Sequence, residues 1–363
     1  MAGQEIDMPG GARAWLAQPA RGSGPGVVLC NEGPSDLRGL AGLLAEEGYV
    51  VVVAQAGSGF AAPLAALRAL PSCKGKVGVL AFGACAVPAL RAAAQGEFDC
   101  AIAYCSTDTA PVLDAVRNIR SPVVLHWAGE RRIETEPSES VESYAYPGVA
   151  AGFALADSAQ FDKQAAAMAY SRTLALLRKV LGPHYDLSSL WEAHRACEFV
   201  TRDPEATMRT MVDEPYVNHI PTLTGGYGAK DLYRFYKHHF IPKSPRDMRN
   251  IPVSRTIGAD RVVNEGVLCF THDTEIDWML PGVEPTGQYV EVPIVGVITF
   301  RGDKLCHEHI YWDQASVLVQ IGLLDPAGLP VAGRASAAKV LDPGLPSNAL
   351  MASWAQSAAR ESA

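Results

Sequence analysis

The stretch KVGVLAFGACAVPAL, residues 76–90, places a short apolar run, a turn of small residues and a second apolar run in series. Strand, sharp turn and helix in that order is the layout in which many hydrolases present a nucleophile at the end of a sheet. The same grammar repeats on both sides of it. GVVLC (26–30), YVVVVA (49–54), DCAIAYC (99–105) and PVVLHWAG (122–129) read as strands, and helical patterns over 37–47, 63–70, 86–94, 111–117 and 159–181 alternate with them. Such alternation predicts an α/β domain with a parallel sheet covered on both faces. Gly182, Pro183 and His184 then break the helical pattern, which predicts a first domain over 1–182.

Beyond this break the grammar changes. Helical patterns over 187–201, 204–212 and 230–240 precede strand patterns over 252–257, 261–271, 288–300 and 304–313. Helices followed by a run of strands predict an α+β domain over 183–326, a curved sheet wrapped by helices with a ligand pocket between them. From residue 327 Ala, Gly, Pro and Ser prevail without periodicity, which predicts an extended or partly disordered tail over 327–363.

Composition agrees with two folded units. A chain of 363 residues, 48% hydrophobic and 19% charged, can build two cores. Net charge is −8 and no basic run is present, so neither nucleic acid nor an anionic membrane is an expected partner. With no basic leader followed by an apolar segment and no 18-residue apolar stretch, the expectation is a soluble, cytoplasmic protein. The eight cysteines contain no CxxC pair, so neither a disulfide framework nor a zinc site is expected.

The run ARAWLAQPARGSGPGVVLCNEGPSDLRGLAGLLAEEGYVVVVA (12–54) resembles the opening of the dienelactone hydrolase family, α/β-hydrolases that open lactones with a Cys, His, Asp triad. The resemblance extends to about Leu181 and places Glu32 at the family's active-site glutamate. Aligned without a gap, the nucleophile slot falls on Gly83, and Cys85 stands two residues later. The triad acid meets Arg132 in GERR (129–132), and the triad histidine meets Ala151 in YPGVAAGF (146–153). Only about 20 residues separate the turn at Gln55 from Lys76, so the family's longer substrate-binding segment is missing there. Independently of any family, His126 is the single histidine among the first 183 residues, and a thiol needs a base within hydrogen-bond reach. The expectation is a hydrolase frame without its chemistry. A relocated thiol hydrolase, with Cys85 assisted by Glu32 or His126, is the alternative.

Eight of the nine histidines follow residue 183. Residues 184–325 resemble the SnoaL-like polyketide cyclases of the nuclear transport factor 2-like superfamily. The matching stretches are PEATMRTMVDEPYVNHIPTLTGGYG (204–228), WMLPGVEPTGQYVEVPIVGVITF (278–300) and GDKLCHEHIYWDQASVLVQIGLL (302–324). The resemblance implies a cone around an apolar pocket, a homo-oligomer such as a dimer paired through the sheet, and Asp313 as general acid and base. The period of two puts His307, His309, Tyr311 and Asp313 on one face of the last strand, the expected pocket wall. Cys306, Ile310 and Trp312, interrupted by Glu308, form the expected packing face. His309 and His219 are expected to assist Asp313, with Tyr216, Tyr311, Trp278, His272 and His307 contacting substrate. Capping of the following helix explains Asp313 equally well. His307 and His309 have no clear third partner for a metal, so no metal and no cofactor are expected. The functional expectation is acid and base chemistry on a hydrophobic carbonyl or polyketide-like small molecule: cyclisation, isomerisation or lactone chemistry. A non-catalytic binding or assembly protein is the remaining alternative.

Overall fold

The computed structural model describes residues 3–54, 59–105, 110–130 and 140–361. It divides into two compact units, Met1–Tyr185 and Asp186–Ala363. No helix among the described residues is long and apolar enough to cross a membrane.

The first unit is built on eight strands: β1 (Gln4–Asp7), β2 (Arg13–Ala17), β3 (Gly24–Asn31), β4 (Val50–Ala54), β5 (Cys73–Phe82), β6 (Cys100–Cys105), β7 (Val123–Ala128) and β8 (Val141–Tyr146). They form one sheet in the order β1-β2-β4-β3-β5-β6-β7-β8. β1 with β2 and β2 with β4 are antiparallel, and the remaining pairs are parallel. The central strands are apolar without alternation because both faces are covered. One face packs on the helices Ala61–Ala69 and Ala86–Ala94. The other receives the helix Lys163–Leu181, whose Leu181 comes so close to Gly78 that a β-carbon there would crowd it. β1, β2 and β8 were not among the strands legible as apolar runs. They lie at or near the sheet margins, where β1 is largely exposed and β8 half-buried, so backbone pairing holds these two, while the short β2 buries Ala14, Leu16 and Ala17. β5 ends at Phe82, and Gly83 turns the chain with φ +57° into the helical segment that starts at once. An L-residue enters that backbone region only under strain, so glycine suits the turn.

The second unit carries β9 (Met211–His219), β10 (Thr224–Tyr227), β11 (Arg249–Ile257), β12 (Arg261–Thr271), β13 (Tyr289–Arg301) and β14 (Lys304–Trp312). Their order is β10-β9-β14-β13-β12-β11, antiparallel except for β14 beside β9. Register shifts interrupt three of these pairings, and such bulges bend strands and increase their twist. The segment that resembles a helix end at 211–212 is instead the start of β9. Its alternation is partly masked by Pro215 and by two exposed acids, Asp213 and Glu214.

The tail is not simply extended. It contains the helices Ala335–Leu341 and Trp354–Glu361. The first buries Ala337 completely against Val267 and Cys269 of β12, with Val340 beside them. So few of its residues touch the sheet that the sequence carries little helical periodicity.

Candidate active site

β14 decides where the site lies. Leu305, Glu308, Ile310 and Trp312 are buried, whereas His307 and His309 are half-buried and Tyr311 is exposed. Glu308 and Ile310 line a cavity of about 120 Å³, which places the inward face of the strand opposite to the one expected. The expected packing face, with its charged interruption, is the cavity wall.

Glu308 is tolerated there because it meets an imidazole. His194, on the helix Leu187–Arg195, is fully buried, and its Nε2 lies 3.2 Å from Glu198 Oε1 and 3.3 Å from Glu308 Oε1. The Thr210 hydroxyl donates to the Thr207 carbonyl at 2.6 Å, so it can only accept from His194 Nδ1, also at 2.6 Å. Nδ1 therefore carries a proton, and Nε2 is left to share one with the two carboxylates. Burial opposes the imidazolium, but Glu198 and Glu308 outweigh it and lift the His194 pKa to about 10. Burial, with Glu198 alongside, raises the Glu308 carboxyl above its ordinary range, and His194 limits the rise. A carboxyl with its pKa raised can both take and return a proton.

Two π-helical turns shape the rest. Ala196–Val200 continues the His194 helix and sets Glu198 four residues on, on the same side, while Tyr236–Phe240 brings in Tyr236. Single π turns inside helices recur at functional sites because the wide turn redirects side chains. Burial first, then Glu308 and Glu198, keep the Tyr236 phenol protonated far above its usual range, so it serves as a donor. Glu198, Tyr236 and Glu308 line the cavity together with Trp191, Phe240 and Trp278. On the far side Arg255 of β11 donates to Asn264 Oδ1 of β12 at 2.9 Å and to Ser188 Oγ of the His194 helix at 2.7 Å.

Of the expected site residues, His219 and Trp278 line this cavity. His219 is buried among aromatic rings, with Trp278 5.0 Å away, and burial holds its pKa near 4, so it is a neutral imidazole. Thr224 donates to the Trp278 carbonyl and accepts from His219 Nδ1 at 3.2 Å. The other expected residues are elsewhere. His307, His309, Tyr216 and Tyr311 cluster on the opposite face of the sheet, where His307 and His309 bring their Nε2 atoms to 3.0 Å. His272 is buried in the turn after β12, bonded to Thr286 and outside the cavity lining.

Asp313 is exposed and caps the helix Gln314–Gln320, accepting from the Ser316 amide at 3.1 Å and from its hydroxyl. The reason is positional: β14 ends at Trp312, so the next residue is the first one free to cap. Asp313→Ala is expected to cost about 1 kcal/mol of stability in urea unfolding, the usual worth of such a cap, and to leave ligand binding in the cavity unaltered.

In the first unit Glu32, Gly83 and Ala151 line one cavity of about 540 Å³, so the frame brings three expected positions together. Cys85 does not line it. The thiol is buried, 2.7 Å from that of Cys30. Arg132 lies outside the described residues. His126 is buried and engaged at both nitrogens, with Tyr146 at 2.9 Å and Thr173 at 3.1 Å, and burial lowers its pKa to about 3. Cleavage of p-nitrophenyl acetate by the protein is accordingly expected to match that of a Cys85→Ala variant. A clear excess over that variant would restore the thiol hydrolase.

Comparison with solved structures gives partial matches to each unit. One part of the chain is similar to a dienelactone hydrolase, another to SnoaL-like proteins. The protein assigned as a dienelactone hydrolase, from Klebsiella pneumoniae, is 18% identical over 49% of this chain and 98% of its own, with a TM-score of 0.40. One assigned as a SnoaL-like polyketide cyclase, from Jannaschia, is 17% identical over 40% of this chain and 99% of its own, with a TM-score of 0.31. A protein of ketosteroid isomerase-like fold from Catenulispora acidiphila, in complex with trimethylamine, is 16% identical over 37% of this chain and 93% of its own, at 0.31. No protein family and no curated protein matches the sequence.

His194, Glu198, Glu308, Tyr236 and Trp191 were not among the expected site residues. Two signals for them exist in the sequence: a glutamate interrupting an otherwise apolar strand face, and a histidine four residues before a glutamate in a helical pattern.

Proposed function

We propose that the second unit performs cofactor-independent proton transfer on a small, largely apolar carbonyl compound, an isomerisation or cyclisation that passes through an enol. The observation that supports this reading is the buried Glu308, held against His194 and Glu198 and opening onto an apolar cavity. Glu308 as carboxylate takes a proton from the carbon beside the carbonyl and, as carboxylic acid, returns it at another atom. The Tyr236 phenol, kept protonated, donates to the oxygen on which negative charge develops. His194 does not line the cavity, so its role is to hold Glu308 and offset its charge. This assigns the acid and base work to Glu308 in place of Asp313, with His219 as a neutral wall residue.

The test is exchange of the protons next to the carbonyl of small aryl and cyclic ketones in deuterated buffer, followed by NMR. Exchange above the buffer rate that disappears in Glu308→Gln supports the proposal. Exchange for no ketone in the set, or equal exchange by the variant, overturns it.

A further inference from the structure

Besides Tyr236 Oη and Glu308 Oε1, which the proposed reaction uses, two further buried polar atoms on cavity-lining residues have no hydrogen-bond partner in the protein. The Trp191 indole Nε1 is buried and unbonded, although Trp191 itself is only 6% exposed. Asn250 Oδ1, on β11, is likewise buried and unbonded. Both residues line the cavity. Buried donors and acceptors are almost always satisfied, so a pair left open around one cavity marks where a ligand supplies the missing partners.

The Asn250 amide has its space because of its neighbour. It rests on Gly266 of the neighbouring strand, where a β-carbon would stand 2.3 Å from Oδ1 and 2.5 Å from Nδ2. Any larger residue at 266 would displace the amide, so glycine here makes the seat for Asn250. Trp191 is fixed by stacking on His194, with ring centroids 5.7 Å apart and an interplanar angle of 16°. The indole is therefore set before a ligand arrives, which favours selective recognition.

Size limits the ligand further. A cavity of about 150 Å³ admits one benzene ring, and this one is about 120 Å³. Its walls include the rings of Trp191, Phe199, Phe240 and Trp278.

We infer that the ligand is a single-ring or equally compact molecule bearing one hydrogen-bond acceptor, met by Trp191 Nε1–H, and one donor, met by Asn250 Oδ1. A hydroxylated aryl or cyclic ketone has this pattern, its ring in the cavity and its substituents toward the open mouth, and fused polycyclic compounds exceed this volume. The inference rests on the cavity being the site of the proposed proton transfer, and it narrows the substrate from polyketide-like molecules to one-ring units.

Calorimetric binding of four probes tests it. 4-Hydroxyacetophenone offers a carbonyl acceptor and a hydroxyl donor, 4-methoxyacetophenone lacks the donor, 4-ethylphenol lacks the carbonyl acceptor, and fluorenone has three rings. The first is expected to bind about tenfold tighter than either of the next two, the worth of one hydrogen bond of about 1.4 kcal/mol, and fluorenone is expected not to bind. Trp191→Phe, which keeps the ring face and removes the N–H, should weaken 4-hydroxyacetophenone about tenfold and leave 4-ethylphenol unchanged. Asn250→Ala should weaken 4-hydroxyacetophenone similarly and leave 4-methoxyacetophenone unchanged. Equal binding of all four, no binding of any one-ring probe at millimolar concentration, or indifference of the probes to both substitutions overturns the inference. Glu308→Gln separates it from the proton-transfer proposal: exchange is lost in that variant, while discrimination among the probes remains.

Discussion

Glu308→Gln is expected to slow ketone proton exchange by at least about 100-fold, the lower end of what a positioned acid or base contributes. The glutamine keeps the shape of the side chain and can accept from His194 through its amide oxygen, so the cavity should persist. What it removes is the group that gains and loses the proton. The burial that raises the Glu308 carboxyl and the His194 contact that limits the rise bear on the same atom, and no other carboxylate at the cavity sits on its apolar sheet wall. Glu198 lies on the helical side. Exchange measured by NMR on both proteins, with circular dichroism to compare their folds, checks the result. A Glu308→Gln protein that is folded and exchanges at the wild-type rate would falsify the assignment of the base.

The second large effect falls on stability. His194→Ala is expected to destabilise the protein by about 3–5 kcal/mol near neutral pH, the usual cost of stranding buried charges without their partner. For a unit of this size that corresponds to a fall in Tm of roughly 10 °C or more. The loss should shrink in acid, because the stranded carboxyls can then take up protons and cease to be charges. The wild type has its own pH dependence with a definite sign. The His194 pKa is raised to about 10 in the folded state, above its ordinary 6.5, so its stabilisation is complete below pH 6.5 and is lost as pH rises through about 10. The Glu308 pKa is also raised, so its contribution favours the folded state in acid and declines as pH climbs above 4.5. Both groups bind protons more tightly in the native state, and both make stability fall as pH increases. Urea unfolding at pH 5, 7 and 9 on the two proteins measures this. A His194→Ala variant as stable as the wild type at pH 7 would show that the three-way contact carries no weight.

The parallel strands of the first unit were legible because each is apolar throughout and bounded by small or polar turn residues. The resemblance aligned Gly83 and Ala151 with two triad positions, and the structure brings both to one cavity with Glu32. β1, β8 and β9 were not legible, since edge exposure in the first two and Pro215 with two acids in the third blur the pattern. The candidate site was legible only in part. His219 and Trp278 were picked out and do line the cavity. His194, Glu198 and Glu308 come from a helix, the π turn after it and a strand far along the chain, and nothing local in any of the three announces the other two.

Taken alone, the sequence determined the order of elements, the glycine at the turn after β5 and the two faces of β14, because apolar periodicity and turn chemistry are local properties. It did not determine which of those faces turns inward. Both carry polar groups, and hydrophobicity counts Glu308 against the face that is in fact buried. The tertiary structure decided it by supplying His194: a buried carboxylate is costly unless a partner offsets its charge, and that partner arrives only when the helix Leu187–Arg195 packs across the sheet.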